Sequence, residues 1–253
     1  MRHAVIVLIA VSCLSVSAHA QTAEELVNKN IQAKGGMEKI KAITSVRMIG
    51  KFDGGGGFTA EQSQENKRPN LVRETFSLQG MTAITAYDGT TGWRIRPFGG
   101  HKDPQLIGED NLRDLLLDAD FDGPLVDYKE KGNTVEYLGH DTVDGDDALR
   151  LKVTLRNGDI IYYFLDPDTN LEIRKEVQEF IRGSVRESVV ELGSYKAVGG
   201  VMFPFSISQG SKDNPRAQTT TVEKMEVNVA IPDSEFALPA SLKPGAKADA
   251  GKK

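Results

Sequence analysis

The sequence has a single cysteine, Cys13, and only four histidines in 253 residues. Cys13 falls inside an N-terminal segment that reads as a removable leader. The chain beyond it therefore has no thiol nucleophile, no thiolate metal ligand and no means of forming a disulfide. A chain of this length can bury enough core to manage without cross-links. Beyond the leader the histidines are His101 and His140, far apart and in no ligand motif, and His140 reads as a surface residue. The Gly-x-Ser-x-Gly elbow and the His-Glu-x-x-His helix are both missing. Asp166, Asp168 and Asn170 match the opening of a calcium loop, yet Leu171 stands where glycine is required and Val177 where the bidentate glutamate belongs. Turn chemistry explains them, and also Asp144-Gly-Asp-Asp147. No catalytic residue, metal ligand or cofactor site is nominated, so the chain reads as non-catalytic; an unrecognised hydrolase is the weakest alternative.

An excess of basic charge is also missing. The chain carries 31 Lys and Arg against 36 Asp and Glu, a net charge of −5. Loss of Arg2 with the leader makes it one unit more acidic. A general nucleic-acid role, which needs a concentrated basic face, is excluded. No apolar run after the leader is long enough to cross a bilayer as a helix. The leader itself has Arg2, an apolar stretch from Ala4 to Val11, and Ala18-His19-Ala20 before Gln21. The expectation is a signal peptide over residues 1–20, a mature start at Gln21 and a periplasmic location. Lipid anchoring at Cys13 is the alternative, against which Ala10 occupies a position that usually holds leucine.

What the chain does have is alternation. Leu149, Leu151, Val153 and Leu155 fall on one side of a strand; Arg150, Lys152, Thr154 and Arg156 fall on the other. Asn157-Gly158 follows and suits a type I′ hairpin. Ile160 to Leu165 is apolar on both faces, as a central covered strand would be. The run Thr134–Glu191 thus reads as an antiparallel meander. Further strands are expected near 45–53, 58–67, 70–78, 81–88, 92–97, 200–208 and 217–229, with Gly54-Gly-Gly-Gly57 as a hairpin tip. Thr22-Ala-Glu-Glu25 is a capping box opening an amphipathic helix with Leu26, Val27 and Ile31 on one face. Met37, Ile40 and Ile43 suggest a short second helix. Gly108 to Ala119 is a third, with Leu112, Leu115, Leu116 and Ala119 together. Residues 21–238 read as one domain and 239–253 as a disordered tail. The fold class is mainly β: a curved antiparallel sheet whose apolar inner side is covered by helices.

Lys67-Arg-Pro-Asn-Leu71, Tyr87-Asp-Gly89, Trp93 and Pro97-Phe98 occur in succession over about 35 residues. That succession resembles the periplasmic outer-membrane lipoprotein carrier, the LolA family. Phe121-Asp-Gly-Pro-Leu125, Asp166-Pro-Asp-Thr-Asn-Leu171 and Gly200-Val-Met-Phe-Pro204 are similar to a broader group of lipoprotein-sorting proteins. The resemblance implies an unclosed antiparallel β-barrel with a helical lid. It also implies a job, shielding the acyl chains of lipoproteins or lipids in transit, with hand-off proteins at the inner and outer membranes as partners. Arg68, the arginine of the Arg-Pro motif, is implied as a lid latch that bonds lid backbone. By alternation and size, Met48, Phe76, Ile84, Trp93, Ile95, Leu151, Tyr163 and Ile173 are the candidates for a hydrophobic cavity. The protein is expected to be monomeric. An envelope sensor using the same half-barrel is the competing function.

Overall fold

The computed structural model describes residues 22–243. The leader, Cys13, the start at Gln21 and the tail from 244 onward lie outside the described residues. The first residues of the expected tail form a 3-10 turn, Ala240–Leu242.

Helix α1, Ala23–Ala33, is opened by the capping box: Thr22 Oγ1 accepts from the Glu25 amide at 3.1 Å, and Glu25 Oε2 accepts from the Thr22 amide at 2.9 Å. Its Leu26, Val27 and Ile31 are buried. Gly35 turns the chain toward α2, Met37–Ala42. A Cβ at Gly35 would sit 2.3 Å from the Gly200 carbonyl oxygen, and φ there is +122°, so a side chain would meet both a clash and strain.

Six strands follow: β1 Ser45–Asp53, β2 Thr59–Lys67, β3 Leu71–Leu78, β4 Met81–Tyr87, β5 Gly92–Arg96 and β6 His101–Leu106. Helix α3, Glu109–Ala119, then precedes the meander of β7 Thr134–Val143, β8 Asp146–Thr154, β9 Ile160–Leu165, β10 Glu172–Ile181 and β11 Ser184–Gly193. A small hairpin, β12 Lys196–Val198 with β13 Val201–Phe203, leads to β14 Ser206–Ser211 and the long β15 Asn214–Val227.

Thirteen of these strands form one antiparallel sheet in the order β6-β5-β4-β3-β2-β1-β15-β14-β11-β10-β9-β8-β7. The β1–β15 ladder joins an N-terminal half to a C-terminal half. Strands β6 and β7 remain as edges, so the barrel is not closed. Strand β6, with Pro104 inside it, was not expected from the pattern. Proline is tolerated there because an edge strand leaves some amides without a ladder partner.

The expected type I′ turn at Asn157-Gly158 is corrected. Gly158 has φ +89° but Asn157 does not adopt positive φ. Leu155 donates to the Asp159 carbonyl at 2.8 Å and Gly158 to Leu155 at 2.9 Å, a three-residue loop with glycine in the left-handed position. Two-residue loops with positive φ at both residues occur instead at Gln79-Gly80, Asp144-Gly145 and Arg182-Gly183, each between a paired couple of strand ends.

The main core lies where α1 and α2 cover the sheet. Leu26, Val27, Ile31 and Ile40 meet Leu149, Leu151, Val153, Ile161, Tyr163 and Leu165. The opposite face of the N-terminal half is crossed by residues 228–243, which bury Ile231 and Phe236. Strand β9 is covered on both sides, as its all-apolar sequence requires; outside, Arg150 lies over the rings of Tyr162 and Phe164 at 4.4 and 5.3 Å.

Candidate functional site

The ladder registers define the inner face. They put Met48 and Phe52 of β1 on the same side as Gln64 and Gln62 of β2, Glu74 and Phe76 of β3, and Thr85 of β4. Val72 and Tyr87 on that side pack against Leu115 and Ala119 of α3, so it is the helix-covered side. In the C-terminal half, Leu151, Tyr163, Lys175 and Val177 share it.

The eight cavity candidates therefore divide. Met48, Leu151 and Tyr163 face inward but are 7 %, 0 % and 3 % exposed, filled in by neighbouring side chains. Phe76 faces inward at the open end. Ile84, Trp93, Ile95 and Ile173 are corrections. Ile84 pairs with Ile95, and Trp93 alternates with Arg94, which puts all three on the outer face. Trp93 Nε1 donates to the Phe236 carbonyl at 3.0 Å beneath the C-terminal segment. Ile173, beside a register shift in β10, packs with Phe164 and Tyr162 on the outer side. Alternation identifies two faces but cannot name the inner one when both are covered. A surface cavity of about 490 Å³ lies between Gly108, Asp110, Asn111 and Arg182, and another of about 320 Å³ is lined by Thr44, Lys67 and Ile231. None of the eight candidates lines either.

Arg68 sits at the β2–β3 junction, beneath the end of α2. Its Nε donates to the Ile43 carbonyl at 2.7 Å and Nη2 to the Ile40 carbonyl at 3.1 Å. Ile40 lies in the last turn of α2 and Ile43 is its capping residue, where a helix end leaves acceptors short of partners. Nη1 and Nη2 also donate to Asp122 at 2.8 and 2.7 Å. The guanidinium carbon lies 4.8 Å from the centre of the Phe121 ring. Lys41 of α2 completes the cluster with ion pairs to Asp122, at 3.2 Å, and to Asp127. Burial pushes the Asp122 pKa up, but the hydrogen bonds and charges of Arg68 and Lys41 together outweigh it and hold the carboxyl below its ordinary 3.8. Asp122, Phe121 and Lys41 were not singled out from sequence as partners of Arg68; an acid set in the apolar stretch Phe121–Leu125 was the available signal.

Helix α3 braces the inner face. Leu112, Leu115 and Ala119 rest on the N-terminal half. Arg113 reaches Asp159 at 2.8 Å, Asp114 accepts from Arg186 at 2.7 Å and Asp110 pairs with Arg182 at 2.6 Å, all in the C-terminal half. At its far end the Asp118 carbonyl accepts from Asn66 at 2.6 Å. Asp118, exposed on α3, and half-buried Glu74 of β3 are neighbouring carboxyls on this face. Burial first, then the charge of Asp118, pushes Glu74 up to about 8. Burial also raises Asp118, against the pull of nearby Lys175. Among the described residues, no group of three or more His, Cys, Asp or Glu side chains is placed to hold a metal ion.

No family model and no curated protein matches the sequence. Solved structures do match the fold. A DUF1329 family protein from Desulfovibrio piger superposes with a TM-score of 0.58 at 13 % identity, over 85 % of this chain and 97 % of that one. A LolA superfamily protein from Nitrosomonas europaea gives 0.56 at 12 % identity, over 87 % and 99 %. A domain named for outer membrane lipoprotein sorting, from Vibrio parahaemolyticus, gives 0.56 at 11 % identity, over 85 % and 97 %. With the unclosed thirteen-stranded sheet and the helices on its inner face, these likenesses establish that the chain has a LolA-like fold.

Proposed function

We propose that this protein is a non-catalytic carrier of the cell envelope. It takes up the acyl chain of a lipoprotein or lipid between the half-barrel and its helices, and moves it through the periplasm toward the outer membrane. The observation that carries this reading is the grip of Arg68 on the end of α2: four side-chain hydrogen bonds fasten the helix and Asp122 to the β2–β3 junction. In this reading Arg68 is the latch of a closed lid. The apolar faces of α1 and α2 occupy the place an acyl chain would take. Leu151 and Tyr163 meet cargo once those helices lift, Met48 lies beyond them under Val198 and Phe203, and Phe76 marks the open end. Each methylene buried contributes roughly 0.8 kcal/mol, so a long acyl chain offers on the order of 10 kcal/mol gross to offset the displaced helix contacts. The neighbours named for the LolA superfamily and for lipoprotein sorting support the reading by fold.

Native mass spectrometry of protein purified from a bacterial periplasm tests it. The expected result is a bound acylated species that is lost on delipidation and regained from a triacylated peptide. A protein that arrives empty and takes up no acylated peptide overturns the proposal.

A further inference from the structure

One end of the sheet carries an apolar feature that the latch does not use. In an antiparallel meander alternate connections lie at the same end, so the β1–β2, β3–β4 and β5–β6 connections are neighbours there. With strands ~4.8 Å apart, successive tips are about 10 Å from one another along a line. Each tip presents one large apolar side chain to solvent: Phe58 beside the glycine turn of β1–β2, Met81 at the start of β4, and Phe98 in the β5–β6 connection. They are 44 %, 39 % and 41 % exposed. The two phenylalanines share one aromatic group. Phe58 stacks on Phe76 at 6.1 Å, Phe76 meets Phe52 edge-on at 5.2 Å, and Phe98 meets Phe76 edge-on at 6.0 Å. The half-buried rings of Phe52 and Phe76 thus back the group, and Phe58 and Phe98 face solvent. A contiguous exposed apolar group on a rigid edge marks an interaction surface.

Charge identifies the partner. The chain as a whole is acidic, but the β5–β6 hairpin that delivers Phe98 runs Arg94, Arg96, His101, Lys102 against the one acid Asp103. Arg96 and Lys102 are exposed. Among the described residues neither is in an ion pair, in a molecule where most basic side chains near the sheet are. Asp53, the acid closest in sequence to the glycine turn, is occupied by the Gly55 amide at 2.8 Å. A row of apolar tips flanked by unpaired cations matches the interface of an anionic bilayer, where rings sit at headgroup depth and cations meet lipid phosphate.

We infer that the tip row Phe58, Met81 and Phe98, with Arg96 and Lys102, is a docking surface for an anionic phospholipid bilayer. It sets the open end of the half-barrel against the membrane. The inference does not depend on the nature of the cargo, because docking is read with empty protein.

The test is co-sedimentation of the exported protein with vesicles of phosphatidylglycerol and phosphatidylethanolamine, against vesicles of phosphatidylcholine alone. Wild type is expected to bind the anionic vesicles, and to lose that binding as salt rises. Phe58→Ser/Phe98→Ser and Arg96→Glu/Lys102→Glu are each expected to weaken it by about tenfold or more. All four positions are solvent-exposed, and unchanged circular dichroism checks that both variants fold. Equal binding to both vesicle types, no binding to either, or double variants that bind like wild type would overturn the inference.

Discussion

The guanidinium of Arg68 grips the carboxylate of Asp122 at two points, 2.8 and 2.7 Å, while its remaining donors hold the carbonyls of Ile43 and Ile40. One side chain thereby ties a strand junction, a helix end and a loop. The Asp122 side chain is 5 % exposed and that of Arg68 28 %. Removing one partner of a fully buried ion pair costs about 3–5 kcal/mol. Partial exposure of Arg68 puts Asp122→Asn nearer 2 kcal/mol. The folded pKa of Asp122 lies below its ordinary 3.8, so the stability it contributes is present above that value and is lost as pH falls through the depressed one. Urea unfolding should show the variant weaker at pH 7, with the gap narrowing below about pH 4. A gap that does not change with pH would show that the carboxylate charge contributes nothing.

Glu74 has the opposite sign. Its folded pKa, about 8, is above its ordinary 4.5, so the folded state holds the proton more tightly than the unfolded chain. The stability this contributes is fully present below pH 4.5 and is lost as pH rises toward 8. Thermal melts between pH 5 and 8 should show the midpoint falling in wild type and falling less in Glu74→Gln, which keeps a neutral partner for Asp118. Parallel slopes for the two proteins would mean that Glu74 is already ionised in the fold.

Trp93 is the chain's one tryptophan, and it is tied to Phe236 on the outer face. Its emission should therefore stay constant through a fatty-acid titration. Removal of residues 231–253 should shift it to the red, because the indole loses its cover. Quenching by fatty acid in the full chain would return Trp93 to the cargo site.

The strand pattern was legible because the code is local. Leu149, Leu151, Val153 and Leu155 announce a strand by themselves, and β1 to β5 fall within a residue or two of their expected ends. The capping box at Thr22 was legible for the same reason. Which face is inside was not. Ile84, Ile95 and Trp93 alternate as cleanly as Phe76, and the cover over Trp93 comes from the 228–243 segment, far away in sequence. The partners of Arg68 were hidden in the same way. A bond from residue 68 to residue 122 leaves no mark in either neighbourhood, although the chemistry of a guanidinium at a helix end was open to reasoning. The polar inner group of Glu74, Asp118 and Lys175 was missed because charged residues on a strand read as solvent-facing until α3 is laid over them.

The release of cargo tests the latch most directly. Arg68→Leu/Asp122→Asn removes the clamp without leaving an unpaired charge buried. Each charge-assisted hydrogen bond contributes roughly 1.5–3 kcal/mol, so the closed lid should lose about tenfold or more of its advantage. A dansyl-labelled acylated peptide is loaded on both proteins, and its transfer to acceptor vesicles is followed in time. The variant should load as well as wild type and release its cargo about tenfold more slowly or worse, since closure no longer drives the acyl chain out. Equal release rates from two folded, loaded proteins would contradict the latch.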